Sequence, residues 1–195
     1  MRVSECKIIG IDEVGRGCLA GPLLVVAARQ KSKLPKDIKD SKKLTRGQRE
    51  TIYQLLTASC QFGEGWVTPA EINRLGLTGA TRLGVKRALK ALSAGADNEI
   101  LIDGHINYCP SHYKSVKTII GGDDLIPIIS AASIYAKVRR DAYMKNASRK
   151  YAGYGFDKHV GYGTKLHLAA IAELGVLDSF HRLNYAPIKE VLAGL

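Results

Sequence analysis

Ile8-Ile9-Gly10-Ile11-Asp12-Glu13-Val14-Gly15-Arg16-Gly17 decides how this chain is read. The apolar run reads as a buried strand, and two adjacent carboxylates stand at its end. Burying an unpaired carboxylate is costly or forces it to protonate. A divalent cation removes that penalty. Gly15-Arg16-Gly17 then offers bare backbone and one fixed positive charge beside the acids. An acid pair next to a phosphate-friendly loop points to a metal site that handles a phosphodiester.

Working outward, Lys7 to Ile11 is a first strand and Leu23 to Ala28 a second, separated by the punctuation of Gly21-Pro22. The runs Ile8–Ile11 and Leu23–Ala28 are apolar, as in a sheet covered on both faces. Residues 29–44 are polar and lysine-rich and predict an exposed loop. Thr45 and Gln48 form a capping box for a helix to about Cys60, and Phe62 to Val67 is a third strand. Thr68-Pro69-Ala70-Glu71 starts another helix, followed by one near 78–93 with Lys86, Arg87 and Lys90 on its wet side. Strands follow at Glu99–Asp103 and Val116–Ile120, and a long helix runs from Pro127 to about Lys150. Residues 151–165 read as a Gly- and Tyr-rich loop, with helices over about 165–174 and 187–193. This order predicts an α/β domain with a mixed central sheet. It lacks the regular alternation of a dinucleotide-binding fold, and no G-x-G-x-x-G opens a helix. One compact domain over 1–195 is expected, with a helical C-terminal appendage at about 151–195.

The 29 Lys and Arg outweigh 18 Asp and Glu, giving a formal net charge of +11 and a pI near 9.6. A soluble chain this basic meets a polyanion, with nucleic acid ahead of an anionic membrane surface. No run of about 18 apolar residues exists, which excludes a transmembrane helix, and the N-terminus has no secretory pattern. Cys6, Cys18, Cys60 and Cys109 are separated by 12, 42 and 49 residues, without a C-x-x-C. Scattered thiols of this kind fit neither zinc nor a disulfide scaffold, and they suit the cytoplasm.

Three places deliver carboxylates toward one edge. Asp12 and Glu13 end the first strand, Asp103 ends Ile100-Leu101-Ile102, and Asp123 follows Gly121-Gly122 just before a helix. Asp123 or Asp124 also fits the role of a helix cap. Mg²⁺ takes oxygen ligands and keeps several waters. Two such ions, ~4 Å apart, activate a water and stabilise the leaving oxygen in phosphoryl displacement.

With these segments in view, the chain resembles the type 2 ribonucleases H, specifically the bacterial ribonuclease HII family. The resemblance is carried by Gly10–Gly17 and Ala20-Gly21-Pro22, by Asp40-Ser41-Lys42-Lys43-Leu44, and by Ile102-Asp103-Gly104. It continues through Gly122-Asp123 leading to Ser130-Ala131-Ala132-Ser133-Ile134-Tyr135-Ala136-Lys137-Val138-Arg139-Arg140-Asp141. His159-Val160-Gly161-Tyr162-Gly163-Thr164 and His181-Arg182-Leu183-Asn184-Tyr185-Ala186-Pro187 complete it. Six segments in the right order are highly specific.

The resemblance implies an RNase H-like fold and two-metal-ion hydrolysis of the RNA strand in RNA–DNA hybrids. It also implies incision at single ribonucleotides in duplex DNA, leaving 3′-hydroxyl and 5′-phosphate ends, in ribonucleotide removal from the genome. It assigns Asp12, Glu13, Asp103 and Asp123 to Mn²⁺ or Mg²⁺, with Asp123 preferred over Asp124. It assigns Gly15, Arg16 and Gly17 to sensing the ribose 2′-hydroxyl, which backbone groups freed of side chains can reach. It assigns Tyr162 to stacking on the next sugar. Lys42, Lys43, Lys137 and Arg140 are read as phosphate contacts, and Ser133 as a phosphate or metal-helix contact. Asp141 is read as structural. The histidines are expected to form no ligand cluster, with His159 and His181 holding loops.

Cys18 stands where proline is more usual, Gly76 replaces a typical asparagine, and Gly84-Val85 replaces Ala-Met; these bear on packing. The chain starts at the first strand and carries the Gly-Arg-Gly, which excludes the related HIII type. No C-terminal Gln-x-x-hydrophobic-x-x-aromatic-aromatic motif supports a sliding-clamp partner, no membrane is expected, and a monomer is. The rivals are another nuclease of this fold, such as a resolvase, and a non-catalytic duplex-binding protein.

Overall fold

The computed structural model describes residues 7–35, Ile38 and residues 45–194. The segment Asp40–Leu44, with Lys42 and Lys43, lies outside the described residues. Five strands form one sheet: β1 (Ile8–Val14), β2 (Leu23–Gln30), β3 (Cys60–Val67), β4 (Glu99–Asp103) and β5 (Val116–Ile119), in the order β3-β2-β1-β4-β5. β1–β2 and β2–β3 pair antiparallel, while β1–β4 and β4–β5 pair parallel. The sheet is therefore mixed, as the order of elements predicts and as the RNase H-like α/β fold implied by the resemblance requires. Helices α1 (Arg46–Ser59), α2 (Pro69–Ala91), α3 (Gly122–Leu125) and α4 (Pro127–Lys150) precede α5 (Phe156–His159), α6 (Lys165–Leu174) and α7 (Ala186–Ala193).

Local chemistry explains the boundaries. Thr45 with Gln48 and Thr68 with Glu71 form complete capping boxes, so α1 and α2 start where the sequence predicts. The two helices expected between 69 and 93 are both present within α2, which is broken at Gly76, whose backbone leaves helical geometry at φ 66° and ψ 171°. Arg87, expected on the wet side, is half-buried: it pairs with Glu71 at 2.7 Å and donates to the Trp66 carbonyl.

Alternation along β1 and β2 divides the interior into two layers. Ile9, Ile11, Leu23, Val25 and Ala27 pack with Ala80, Val85, Ala88 and Leu89 of α2. Leu24, Val26 and Ala28 pack with Ile52 and Leu56 of α1 and with Ala131, Ala132 and Ile134 of α4. Gly10 points into the α4 layer. A Cβ there would sit 2.6 Å from the backbone carbon and oxygen of Ile128, so only glycine lets the helix lie this close. A third cluster joins Leu19, Ala20 and Met144 to Tyr154, Phe156, Ile171, Phe180 and Ile188. It locks the C-terminal helices onto the loop between β1 and β2.

Candidate active site

The acid pair lies inside β1, not at its end. The strand continues to Val14, with Asp12 opposite Val26 and Glu13 opposite Val25. Carboxylates look like turn formers in sequence, yet here the antiparallel partner extends the ladder past them. Alternation then sends the two acids to opposite faces. Asp12 faces α4, where the Ser133 side chain hydrogen-bonds it, and the Glu13 amide donates to Asp12 Oδ1 at 2.7 Å. Glu13 faces Arg16, whose Nη1 lies 3.2 Å from Glu13 Oε1.

Asp103 arrives by parallel pairing. Ile11 pairs with Ile102, so Asp103 stands one step further on, alongside Asp12. Its Oδ1 accepts from the Gly122 amide at 2.7 Å, which ties the end of β4 to the start of α3. Asp123 follows on α3, buried, while Asp124 is exposed. Ser130 of α4 donates to the Asp123 carbonyl and so holds α3 against the long helix.

The electrostatics are those of an edge missing positive charge. Burial pushes the Asp12 carboxyl up to about 8; the Ser133 bond opposes this, and the charges of Glu13 and Asp103 add to it. Burial also raises Glu13, against the pull of Arg16 and with a further push from Asp103. Three oxygen donors in mutual repulsion, one of them only 7% exposed, fit a hard divalent cation, whose charge inverts this balance. Among the described residues no group of three or more His, Cys, Asp and Glu side chains is placed to hold a metal ion by itself. A hard divalent cation also takes waters and substrate oxygens as ligands.

Two clefts flank Glu13. One is lined by Arg16, Asp103, Gly104, His105 and Tyr108, the other by Arg49, Ser133, Ile134, Lys137 and Tyr162. The structure thus gathers Arg16, Ser133, Lys137 and Tyr162 around the acids. Gly15 takes a left-handed φ of 87°, and a Cβ there would collide with the Arg140 guanidinium. Gly17 faces open space. Arg140 is not a surface phosphate contact: it is fully buried and donates to the carbonyls of Pro22, Val160 and Ala20. Asp141 pairs with Lys137 at 2.9 Å.

Several residues at the site carried no sequence signal of their own. Arg49 reaches the Tyr162 cleft from α1. Tyr108 accepts from Arg16 Nη2 at 2.9 Å, and the guanidinium lies 5.5 Å from its ring centre. Arg182 and Tyr185, both within a segment that carries the resemblance, donate to the Arg16 carbonyl at 2.9 and 2.7 Å. Arg16 is therefore pinned at its side chain and its backbone. His159, His167 and His181 stack ring on ring beneath the Tyr162 loop, and His159 and His181 bond loop backbone, the loop-holding role expected of them.

The family model described as Ribonuclease HII matches residues 9–188. A Ribonuclease HII of Cupriavidus necator is 41% identical over 194 residues, spanning 97% of this chain and 80% of that protein. Among solved structures, the ribonuclease H2 of Pyrococcus horikoshii OT3 superposes with a TM-score of 0.77 at 25% identity, over 96% of this chain and 97% of that one. Bst-RNase HIII in complex with Mn²⁺ shares the fold, with a TM-score of 0.70 at 20% identity over 95% of this chain and 69% of that one. Enzymes of the RNase H class depend on divalent metal ions.

Proposed function

Because this chain belongs to the ribonuclease HII family, nucleases that cleave the RNA strand of RNA–DNA hybrids, we propose that it also incises 5′ of single ribonucleotides in duplex DNA. The observation that carries this reading is the buried, mutually repelling acid edge of Asp12, Glu13 and Asp103 beside the Gly15–Gly17 turn. Asp12, Glu13, Asp103 and Asp123 would hold two Mn²⁺ or Mg²⁺ ions, which when bound activate water and stabilise the leaving 3′ oxygen.

The chain's own residues do the rest. Ser133 orients Asp12 by hydrogen bonding, and the Gly122 amide orients Asp103. Arg16 holds Glu13 in place and, with its backbone pinned by Arg182 and Tyr185, presents the Gly15–Gly17 turn to the ribose 2′-hydroxyl. Tyr162, 40% exposed on the other side of Glu13, offers a ring face to the following sugar and favours deoxyribose there. Lys137 and Arg49 line the same cleft and meet backbone phosphates, which position the duplex without reading its sequence. Lys42 and Lys43 are assigned the same role. Water adds to phosphorus as the P–O3′ bond breaks, leaving 3′-hydroxyl and 5′-phosphate ends.

We place the enzyme in the cytoplasm, as a monomer with one catalytic domain, removing ribonucleotides from genomic DNA. No helix among the described residues is long and apolar enough to cross a membrane. Cleavage mapping on a duplex with one embedded ribonucleotide, with Mn²⁺ or Mg²⁺, tests the proposal. One cut, 5′ of the ribonucleotide, is expected. Cleavage confined to continuous hybrids would refute the junction activity, and retained cutting by Asp12→Asn would refute the metal assignment.

A further inference from the structure

Tyr162 is held from behind by a row of imidazoles that the reaction does not use. His167 and His181 are both fully buried, with Nε2 atoms 3.1 Å apart. The ends of the row fix where every proton sits. The Leu177 amide donates to His181 Nδ1 at 2.8 Å, so that nitrogen carries no hydrogen. The His181 proton is therefore on Nε2, and His167 Nε2 must accept it. The His167 proton is then on Nδ1, 2.9 Å from the Tyr162 carbonyl, which can only accept. His159 stacks on His167 with ring centres 4.3 Å apart and is satisfied separately: its Nδ1 accepts from the Gly161 amide and its Nε2 donates to the Tyr154 carbonyl. Burial pushes His167 and His181 down to about 4, in keeping with neutral rings.

The row ends on a segment that also touches the Gly15–Gly17 turn region. The Gly161 carbonyl accepts from the Leu19 amide at 2.8 Å, and the Thr164 amide shares the Tyr162 carbonyl with His167. The Tyr162 ring itself leaves this anchored backbone toward the cleft shared with Glu13 and Ser133.

We propose that His167 and His181 are positioning residues for Tyr162, forming a two-imidazole relay of fixed tautomers that sets the angle at which the phenol ring meets the sugar after the ribonucleotide. The proposal rests on the reading of Tyr162 as the sugar-stacking residue. The relay also explains why histidine is needed: a ring with one donor and one acceptor nitrogen passes a directional hydrogen bond through a dry interior.

The test compares incision of a single-ribonucleotide duplex with cleavage of a continuous RNA–DNA hybrid, in Mn²⁺, for Tyr162→Ala, His167→Leu, His167→Asn and the Tyr162→Ala/His167→Leu pair. Losing a sugar stack lowers the junction-to-hybrid ratio by about tenfold. His167→Leu is expected to match Tyr162→Ala, and the double variant to fall no further. His167→Asn keeps a donor at the Nδ1 position and is expected to retain the ratio. A Tyr162→Ala effect with none from His167→Leu, or additive losses in the pair, would overturn the relay alone. No effect of Tyr162→Ala would overturn the stacking role and the relay together. Ring ¹⁵N shifts of the unmodified protein give a reading independent of any variant's folding. They should show protons on His167 Nδ1 and His181 Nε2, and the opposite tautomers would sink the relay.

Discussion

The acid edge and the histidine–arginine frame beside it are both polar interiors, built on opposite rules. At the edge, Asp12, Glu13 and Asp103 repel one another in a desolvated site, and their hydrogen bonds do not offset the burial. In the frame, Arg140 and Arg182 are fully buried, yet their guanidiniums donate to the carbonyls of Arg16, Ala20, Gly21, Pro22 and Val160. The histidines there are neutral and paired nitrogen by nitrogen. Frustration is thus concentrated at the atoms that meet substrate, while the guanidiniums and imidazoles of the frame have hydrogen-bond partners. Stability is given up at the edge, where reactivity needs it, and recovered in the frame.

The comparison can be broken at either end, starting with the largest effect. Asp12→Asn should lower the cleavage rate by about 10³-fold, some 4 kcal/mol of transition-state stabilisation. In metal-free buffer the same variant should melt higher than the parent, because a neutral amide needs neither proton uptake nor a buried charge on folding. A lower melting temperature would mean that the edge is not frustrated. Arg182→Met should do the reverse. It leaves the Gly21 carbonyl unpaired and the Arg16 carbonyl with Tyr185 alone, and should cost about 3 kcal/mol in urea unfolding. A cost below about 1 kcal/mol would show that the frame is dispensable.

Acidity separates the two regions by sign. Asp12 keeps its proton in the fold up to about pH 8, against 3.8 when unfolded. The folded chain binds the extra proton in that window, so this contribution to stability is lost as pH rises from 3.8 to 8. His167 and His181 behave oppositely: each sits at about 4 in the fold, against 6.5 unfolded, so stability is lost as pH falls from 6.5 toward 4. Each group contributes about 1.4 kcal/mol per pH unit inside its window. Urea midpoints of the metal-free protein should therefore fall from pH 6.5 to 8, and Mn²⁺ should flatten that arm and spare the acidic one. An alkaline arm that is already flat without metal would contradict the electrostatics of the edge. The smallest effect belongs to Lys137→Ala, which should weaken duplex binding modestly and reduce the slope of log affinity against log salt by about one.

The sequence made the frustrated region more legible than the saturated one. A carboxylate inside an apolar strand contradicts its surroundings within a few residues, so Asp12, Glu13 and Asp103 are conspicuous. The ends of α4 and α6 and both capping boxes were equally local and match residue for residue. Arg140 and Arg182 look like surface cations, because the carbonyls that satisfy Arg140 lie 20 to 120 residues away and those of Arg182 more than 160. The same distance hid the histidine row, whose members are separated by a turn and a whole helix. The extension of β1 through the acids was missed for a related reason: only the pairing with β2 keeps them extended.

Gly10 has a consequence for the dimensions of the whole edge. From its contact at Ile128, the strand advances two residues to Asp12, about 7 Å. The helix advances five to Ser133, about 7.5 Å. The two rulers agree to within an ångström only because they share an origin where no side chain intervenes. A methyl group at Gly10 would move that origin, and every spacing laid out from it, from the Ser133 hydroxyl to the Arg140 fork, would shift together. The tolerances of a phosphodiester-cutting site are gauged from a single hydrogen atom on a residue that never touches the substrate.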